Sequence, residues 1–104
     1  AYRFEVRGKA LVLSGDCDYD AGIIRHSRKA DLLVLDCSTT DTLKFPGHCC
    51  AGECGRIATE ADVKCLLLTH LYPLDGVSDT RLEEARQAFN GEVQLARDLM
   101  EIDL

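Results

Sequence analysis

Residues 47–70 read GHCCAGECGRIATEADVKCLLLTH, and this stretch decides the fold. Small and apolar residues recur in it at helical spacing, at Ala51, Cys54, Ile57, Ala58 and Ala61. That spacing predicts a helix between His48 and Ala61. Residues 65–68, which follow, are continuously apolar, as is typical of a strand covered on both faces. The stretch therefore predicts a helix that leads into an interior strand.

Upstream of this stretch the pattern is similar. Residues 20–30 predict a short helix, and the apolar run 32–35 predicts a second interior strand of a parallel pair. At the amino terminus, residues 2–6 alternate between apolar and polar side chains, and a turn at residues 7–9 leads into the apolar run 10–13. Alternation, turn and apolar run together predict a β-hairpin.

Downstream, residues 72–76 interrupt the pattern. The residues after them predict one more helix, with Asp79 as its N-cap and residues 90–91 at its end. Residues 92–95 and 99–104 are short and strand-like. A hairpin followed by strands that alternate with helices predicts an α/β fold, a mixed sheet with helices packed on one face. The other face would be apolar and uncovered, which predicts a missing half or a second copy of the chain.

Composition narrows the classes of function. The 104 residues suffice for one domain, and the formal net charge of -6 makes nucleic acid an unlikely partner, because phosphate backbones are held mainly by clustered Lys and Arg. The apolar runs are too short to span a bilayer, and they are not preceded by the basic segment that begins a secretory signal peptide. The sequence thus predicts a cytoplasmic protein with no membrane partner.

Six cysteines allow two interpretations. Cys17, Cys37 and Cys65 lie beside or inside apolar runs, which favours buried free thiols in a reducing cytoplasm. Cys49, Cys50 and Cys54 lie close to His48 and leave a structural zinc site as an alternative, although the paired Cys-x-x-Cys spacing is absent.

Three polar residues follow strands or open helices: Asp16, His48 and His70. Strand ends are where open sheets gather their site residues, and Asp and His bind borderline metals such as zinc. Each residue also has a simpler explanation. Asp16 could be a turn residue and His48 an N-cap, whereas a histidine directly after a buried strand needs a polar partner.

Three segments together point to a known family: LVLSGDCD at 11–18, ADLLVLDCS at 30–38, and residues 47–70. Their order and spacing resemble the second half of metallo-β-lactamase-fold hydrolases, and most closely the ribonuclease Z and phosphodiesterase-like branch. The resemblance implies that residues 1–104 form a single carboxyl-terminal half-domain, one half of an αββα sandwich.

The resemblance also implies roles for individual residues. Asp16 would bridge two metal ions, and His70 would ligate the second of them. His48 would donate a proton to the leaving group or hold the charge of the transition state. Asp36 stands where that branch usually has Glu, and it would pair with His48 and tune the acidity of the histidine. The implied cofactor is Zn²⁺, two ions per complete site, with Mn²⁺ or iron as alternatives.

Two departures from the family pattern limit what these residues can do alone. The His-x-His-x-Asp-His motif, which belongs to the first half of the fold, is absent, so we expect the 104 residues to bind metal weakly or not at all. Cys49-Cys50 replaces a polar pair, which predicts a poorly capped helix start. The parent protein is predicted to hydrolyse phosphodiester or related ester bonds; a non-catalytic scaffold or assembly domain is the alternative.

Overall fold

The computed structural model describes residues 1–74 and 78–104, which form one five-stranded sheet of order β1-β2-β3-β4-β5. Strands β1 (Tyr2–Val6) and β2 (Lys9–Leu13) form the predicted antiparallel hairpin. Strands β3 (Leu32–Asp36), β4 (Cys65–Thr69) and β5 (Glu92–Leu95) follow, each parallel to its neighbour. The predicted mixed sheet of an α/β fold is confirmed.

Three helices connect the parallel strands: α1 (Ala21–His26), α2 (Ala51–Ala61) and α3 (Arg81–Ala88). A short 3₁₀ turn, Asp41–Leu43, precedes α2. Parallel strands require such crossovers, because the chain must return to the same end of the sheet before the next strand begins. None of the helices in the described part of the chain is long and apolar enough to cross a membrane.

The core lies between these helices and one face of the sheet. Leu33, Leu35, Leu66 and Leu68 are fully buried on that face and belong to one apolar cluster with Ile57 of α2. Burial of one such side chain contributes about 1.5–3 kcal/mol before the entropy of folding is counted. This layer holds the strand ends in fixed positions.

The opposite side of the sheet, which we call the outer face, is also apolar. Its apolar members are alternate strand residues, namely Tyr2, Phe4, Val6, Leu11, Leu13, Leu32, Val34, Cys65 and Leu67. Lys9, Glu92 and Gln94 also lie on this face, near its ends. Leu32 and Leu67 are buried near the centre of this face, whereas Tyr2, Phe4 and Val6 are exposed. The predicted uncovered apolar face is therefore present along the hairpin edge.

Three element predictions were wrong in detail. Residues 99–104 form no strand, because Leu99 adopts a positive φ of 59°, which interrupts an extended backbone. The first helix ends at His26 rather than near residue 30, where Lys29 also takes a positive φ. Thr80, and not Asp79, is the N-cap of α3; Asp79 instead pairs with the Arg81 guanidinium. Residues 75 and 76, the last two of the predicted break at 72–76, lie outside the described residues.

Candidate metal centre

The predicted site residues meet at the carboxyl ends of the parallel strands. Asp16 follows β2, Asp36 ends β3, His70 follows β4 directly, and His48 lies in the loop before α2. One ligand atom from each of the four lies within 4.8 Å of the others. Parallel strands that end at the same edge explain why residues so distant in sequence converge.

Asp36 is the buried centre of this group, with a side chain that is 0% exposed. Its Oδ2 accepts hydrogen bonds from His48 Nδ1 at 2.8 Å and from the Cys17 backbone N–H at 3.0 Å. Its Oδ1 accepts from Ser38 Oγ at 2.9 Å. Both oxygens are therefore engaged by donors, which compensates the cost of burying the carboxylate.

The pairing with Asp36 determines which nitrogen of His48 is free. Because Nδ1 faces a carboxylate, it carries the proton, and Nε2 is left available. The alternative in which His48 caps the following helix is wrong, since Cys50 is the N-cap of α2. Nor is that helix start poorly capped, because the Glu53 carboxylate accepts the Cys50 backbone N–H at 3.1 Å.

His70 is oriented by Ser38. The hydroxyl of Ser38 donates its one hydrogen to Asp36, so it must accept from His70 Nδ1, which lies 3.1 Å away. A neutral His70 consequently presents an unprotonated Nε2, and this atom lies 3.5 Å from Asp16 Oδ1. His70 also has a positive φ of 58°, a conformation that costs about 1–3 kcal/mol and is often retained at functional sites.

Asp16 projects from a short loop that Ser14 fixes in place. Ser14 Oγ accepts the Asp36 backbone N–H at 3.0 Å and donates to the Gly15 carbonyl at 2.7 Å. Gly15 has a φ of 64°, which glycine adopts without strain. The Asp16 side chain is 68% exposed, so its carboxylate faces His70 on one side and solvent on the other.

Aromatic rings enclose the two imidazoles. The rings of His48 and His70 are parallel within 5°, with centroids 5.3 Å apart. Tyr72 lies 5.2 Å from His70, and Phe45 lies 5.6 Å from Tyr72. Our sequence reasoning did not identify Ser38, Phe45 or Tyr72 as part of the site, although each is within three residues of a predicted site residue.

Lys44 anchors the loop that carries His48. Its ammonium group contacts Asp18 at 2.5 Å and Glu53 at 2.9 Å, and it donates to the His48 carbonyl. The hydrogen bond from Lys44 is the main reason why the pKa of Asp18 falls to about 2. Although burial opposes it, pairing with the two carboxylates raises the pKa of Lys44 above its ordinary value.

All six cysteines are free thiols. Among the described residues, the four side chains of Asp16, Asp36, His48 and His70 form the one group of three or more potential ligands, so Cys49, Cys50 and Cys54 do not form the alternative zinc site. Cys17 and Cys49 do touch, with Sγ atoms 3.9 Å apart. Their shared hydrogen bond is the main reason why the pair gives up its first proton at a lowered pKa and its second at a raised pKa.

The donor set fits part of a divalent metal centre. Both oxygens of Asp36 already accept hydrogen bonds, which leaves the Asp16 carboxylate and His70 Nε2 as the candidate ligands, with His48 Nε2 beside them. Carboxylate oxygen and imidazole nitrogen suit zinc and similar ions. Each bound ion needs about four ligands, so two ions would need more ligands than this cluster offers.

Comparison with known proteins places this geometry in context. No family model matches the chain. The chain is 39% identical over 99 residues to YhfI, a probable metallo-hydrolase of Bacillus subtilis. This match covers 93% of this chain and 40% of that protein. The chain is 34% identical over 105 residues to a ribonuclease Z of Archaeoglobus fulgidus, with 94% of this chain and 33% of that protein covered.

Solved structures agree with the sequence matches. The crystal structure of YhfI, a metallo-β-lactamase fold protein, superposes with a TM-score of 0.82 and 37% identity over 91% of this chain and 40% of that chain. A diphosphatase of the PhnP family shares the fold, with a TM-score of 0.64 and 21% identity. The chain spans only 33% to 40% of the length of the curated relatives described above.

Proposed function

Because this chain has the metallo-β-lactamase fold that its sequence predicted, we propose that it contributes Asp16, His48 and His70 to the active site of a metal-dependent hydrolase. The convergence of these side chains on Asp36, within 4.8 Å, is the observation that carries the proposal. Relatives named metallo-hydrolase and ribonuclease Z support the reaction class. The remaining metal ligands would come from an amino-terminal half or from a second copy of the chain.

The proposed metal ligands are the two exposed groups. Asp16 has both carboxylate oxygens available and would bridge two ions, while His70 would bind one of them through Nε2. Zn²⁺ is the metal we propose, with Mn²⁺ or iron as alternatives, and two such ions would polarise the scissile ester and activate the attacking water. Ser38 holds the His70 ring so that its lone pair points toward Asp16.

His48 is proposed as the general acid. A departing alkoxide needs a proton, and the Nε2 of His48 is free to hold one because Nδ1 is bound to Asp36. The buried Asp36 carboxylate stabilises the cationic imidazole and fixes its plane, which is stacked on His70. Asp36 therefore acts through His48 and does not need to touch the substrate.

The proposed substrate is a phosphodiester or a related ester. With a net charge of -6, the chain offers little general attraction for an anion, so the metal ions would supply the local positive charge. Six free thiols support a reducing, cytoplasmic location. The chain would function with the segment that covers its outer face.

The test compares metal content and hydrolysis in the protein that carries this chain. Asp16→Asn and His70→Asn should lose bound zinc and lower the hydrolysis of bis(4-nitrophenyl) phosphate by at least about 100-fold. Asn is chosen at position 70 because it tolerates the left-handed backbone. His48→Gln should retain zinc and lower kcat by about 10²–10⁴-fold.

His26→Gln is the matched control, because this third histidine lies in α1 outside the metal-ligand group. It should leave both zinc content and hydrolysis unchanged. Full zinc content in Asp16→Asn and His70→Asn would contradict the assignment of these two residues as metal ligands. Zinc bound by the unaltered protein with no hydrolysis of phosphodiesters or related esters would instead favour the non-catalytic scaffold.

A further inference from the structure

Two thiols lie side by side behind the candidate site. Cys17 directly follows Asp16 and Cys49 directly follows His48, and their Sγ atoms are 3.9 Å apart. Cys17 is partly exposed, whereas Cys49 is fully buried. In a disulfide the two sulfurs are about 2 Å closer than this, so forming the bond must move Cys17 and Cys49 toward each other. A small oxidant can therefore reach the pair through Cys17.

We propose that Cys17 and Cys49 are a reversible oxidation site that forms a disulfide, with a hydroperoxide as the oxidant. Cys17 Sγ attacks hydrogen peroxide, the O–O bond breaks, and one oxygen leaves as water with the thiol proton, so that Cys17 becomes a sulfenic acid. Cys49 Sγ then attacks this sulfur; the S–S bond forms, the S–O bond breaks, and the oxygen leaves as water with the Cys49 proton. Two thiols are oxidised, and one peroxide is reduced to two waters.

The other cysteines do not offer an equivalent pair. Cys50 directs its Sγ to the Glu53 carboxylate at 3.3 Å. Cys37 and Cys54 are both fully buried, and Cys54 donates to the Asp36 carbonyl at 3.2 Å. Cys65 lies on the outer face, on the opposite side of the sheet. Among the described cysteines, Cys17 with Cys49 joins an accessible thiol to a buried neighbour that can resolve its sulfenic acid.

The disulfide would act on the site through the backbone. The N–H of Cys17 donates to the same Asp36 oxygen that binds His48, and the carbonyl of Cys49 accepts the Ser38 N–H at 3.0 Å. Drawing the two sulfurs together therefore pulls on both loops that carry the site. This consequence rests on the proposed function, and we expect zinc affinity to fall about tenfold in the oxidised protein.

The test treats the protein that carries this chain with hydrogen peroxide, blocks the remaining thiols with N-ethylmaleimide, and maps the tryptic peptides. We expect residues 10–25, with Cys17 alone, to be linked to residues 45–56, with Cys49, Cys50 and Cys54. Dithiothreitol should separate the two peptides. The unaltered protein suffices for this measurement, so the result does not depend on the folding of a variant.

Variants identify the partner within residues 45–56. Cys50→Ser and Cys65→Ser should form the link as the unaltered protein does, and Cys49→Ser should leave a sulfenic acid on Cys17 that dimedone traps. Absence of the link, or a link that survives in Cys49→Ser, overturns the proposal. A titration of both redox forms with Zn²⁺ separates the two hypotheses. A disulfide in a protein that binds no zinc supports the oxidation site and contradicts the proposed hydrolase, whereas zinc binding without a disulfide does the reverse.

Discussion

Ser38 shows how one hydroxyl can determine the chemistry of two neighbours. A hydroxyl has one hydrogen to donate and lone pairs to accept with, and Ser38 donates to Asp36 and accepts from His70. Those two bonds leave His70 Nε2 unprotonated on the side of Asp16. The protonation pattern of the proposed metal ligand is therefore set by a residue that is not itself a proposed ligand.

Ser38→Ala should weaken metal binding without removing a ligand. Loss of the acceptor frees His70 to rotate and to change tautomer, and outer partners of metal-binding histidines typically contribute about 10–100-fold in affinity. We expect the zinc dissociation constant of the protein that carries this chain to rise by that factor in a chelator competition. A circular dichroism spectrum equal to that of the unaltered protein distinguishes this effect from a loss of fold.

Ser27→Ala is the control for this substitution. Ser27 is also fully buried, but its hydroxyl has no hydrogen-bond partner among the described residues. Removing an unpaired buried hydroxyl should not destabilise the fold and should leave zinc affinity unchanged. Equal effects of the two substitutions would show that Ser38 acts by general packing and not through His70.

At the scale of elements, the contact between α2 and α3 depends on a glycine. A Cβ at Gly55 would lie 2.6 Å from the Ala85 carbonyl oxygen and 2.7 Å from Ala88 Cβ. Both distances are shorter than real contacts, and one of the atoms is backbone that cannot turn aside. Gly55 therefore allows the two helices to approach closely.

Gly55→Ala should lower the free energy of unfolding by about 1–3 kcal/mol, because overpacking outweighs the roughly 1 kcal/mol that alanine gains over glycine in a helix. Urea denaturation measures the change. Gly22→Ala in α1 is the matched control, since its new Cβ would meet only the flexible carboxylate of Asp20, at 3.0 Å. A neutral or stabilising effect of Gly55→Ala would mean that α3 can move away without cost.

The elements also show what sequence patterns can and cannot predict. The apolar runs of β2, β3 and β4 and the spacing in α2 are strong signals, and they correctly place Asp16 and His70 just after strands. The errors in the end of the first helix and in the predicted strand at 99–104 have a different cause. Positive φ angles at Lys29 and Leu99 are decided by packing and backbone hydrogen bonds, which a pattern of apolar residues does not record.

The site was predictable to a similar depth. The pattern supplied Asp16, His48 and His70, and the resemblance supplied the pairing of Asp36 with His48, which the geometry shows at 2.8 Å. Ser38 and Tyr72 were missed because short polar and aromatic residues in loops carry no periodic signal. Their positions depend on long-range contacts such as that of Arg81, which donates to the carbonyls of both Ser38 and Tyr72.

At the scale of the whole molecule, the two faces of the sheet differ in how completely they are covered by other elements. One face is sealed by the helices, while the outer face leaves Tyr2, Phe4 and Val6 exposed along the β1 edge. Exposed apolar side chains on one contiguous surface favour association, because burial removes them from water. The segment that covers this face in a longer protein would be replaced by a second copy when the chain is alone.

We therefore expect the isolated 104-residue chain to self-associate through the outer face. Light scattering across a concentration series should show a mass above that of the monomer, and Phe4→Lys should shift the chain toward monomer. Leu43→Lys is the matched control: Leu43 is similarly exposed, 42% against 50% for Phe4, but lies in the 3₁₀ turn away from the sheet. If the chain stays monomeric at every concentration, or if both lysine variants dissociate it equally, the outer face is not the surface that drives association. A selective effect of Phe4→Lys would tie assembly to the same face that the missing half is proposed to cover.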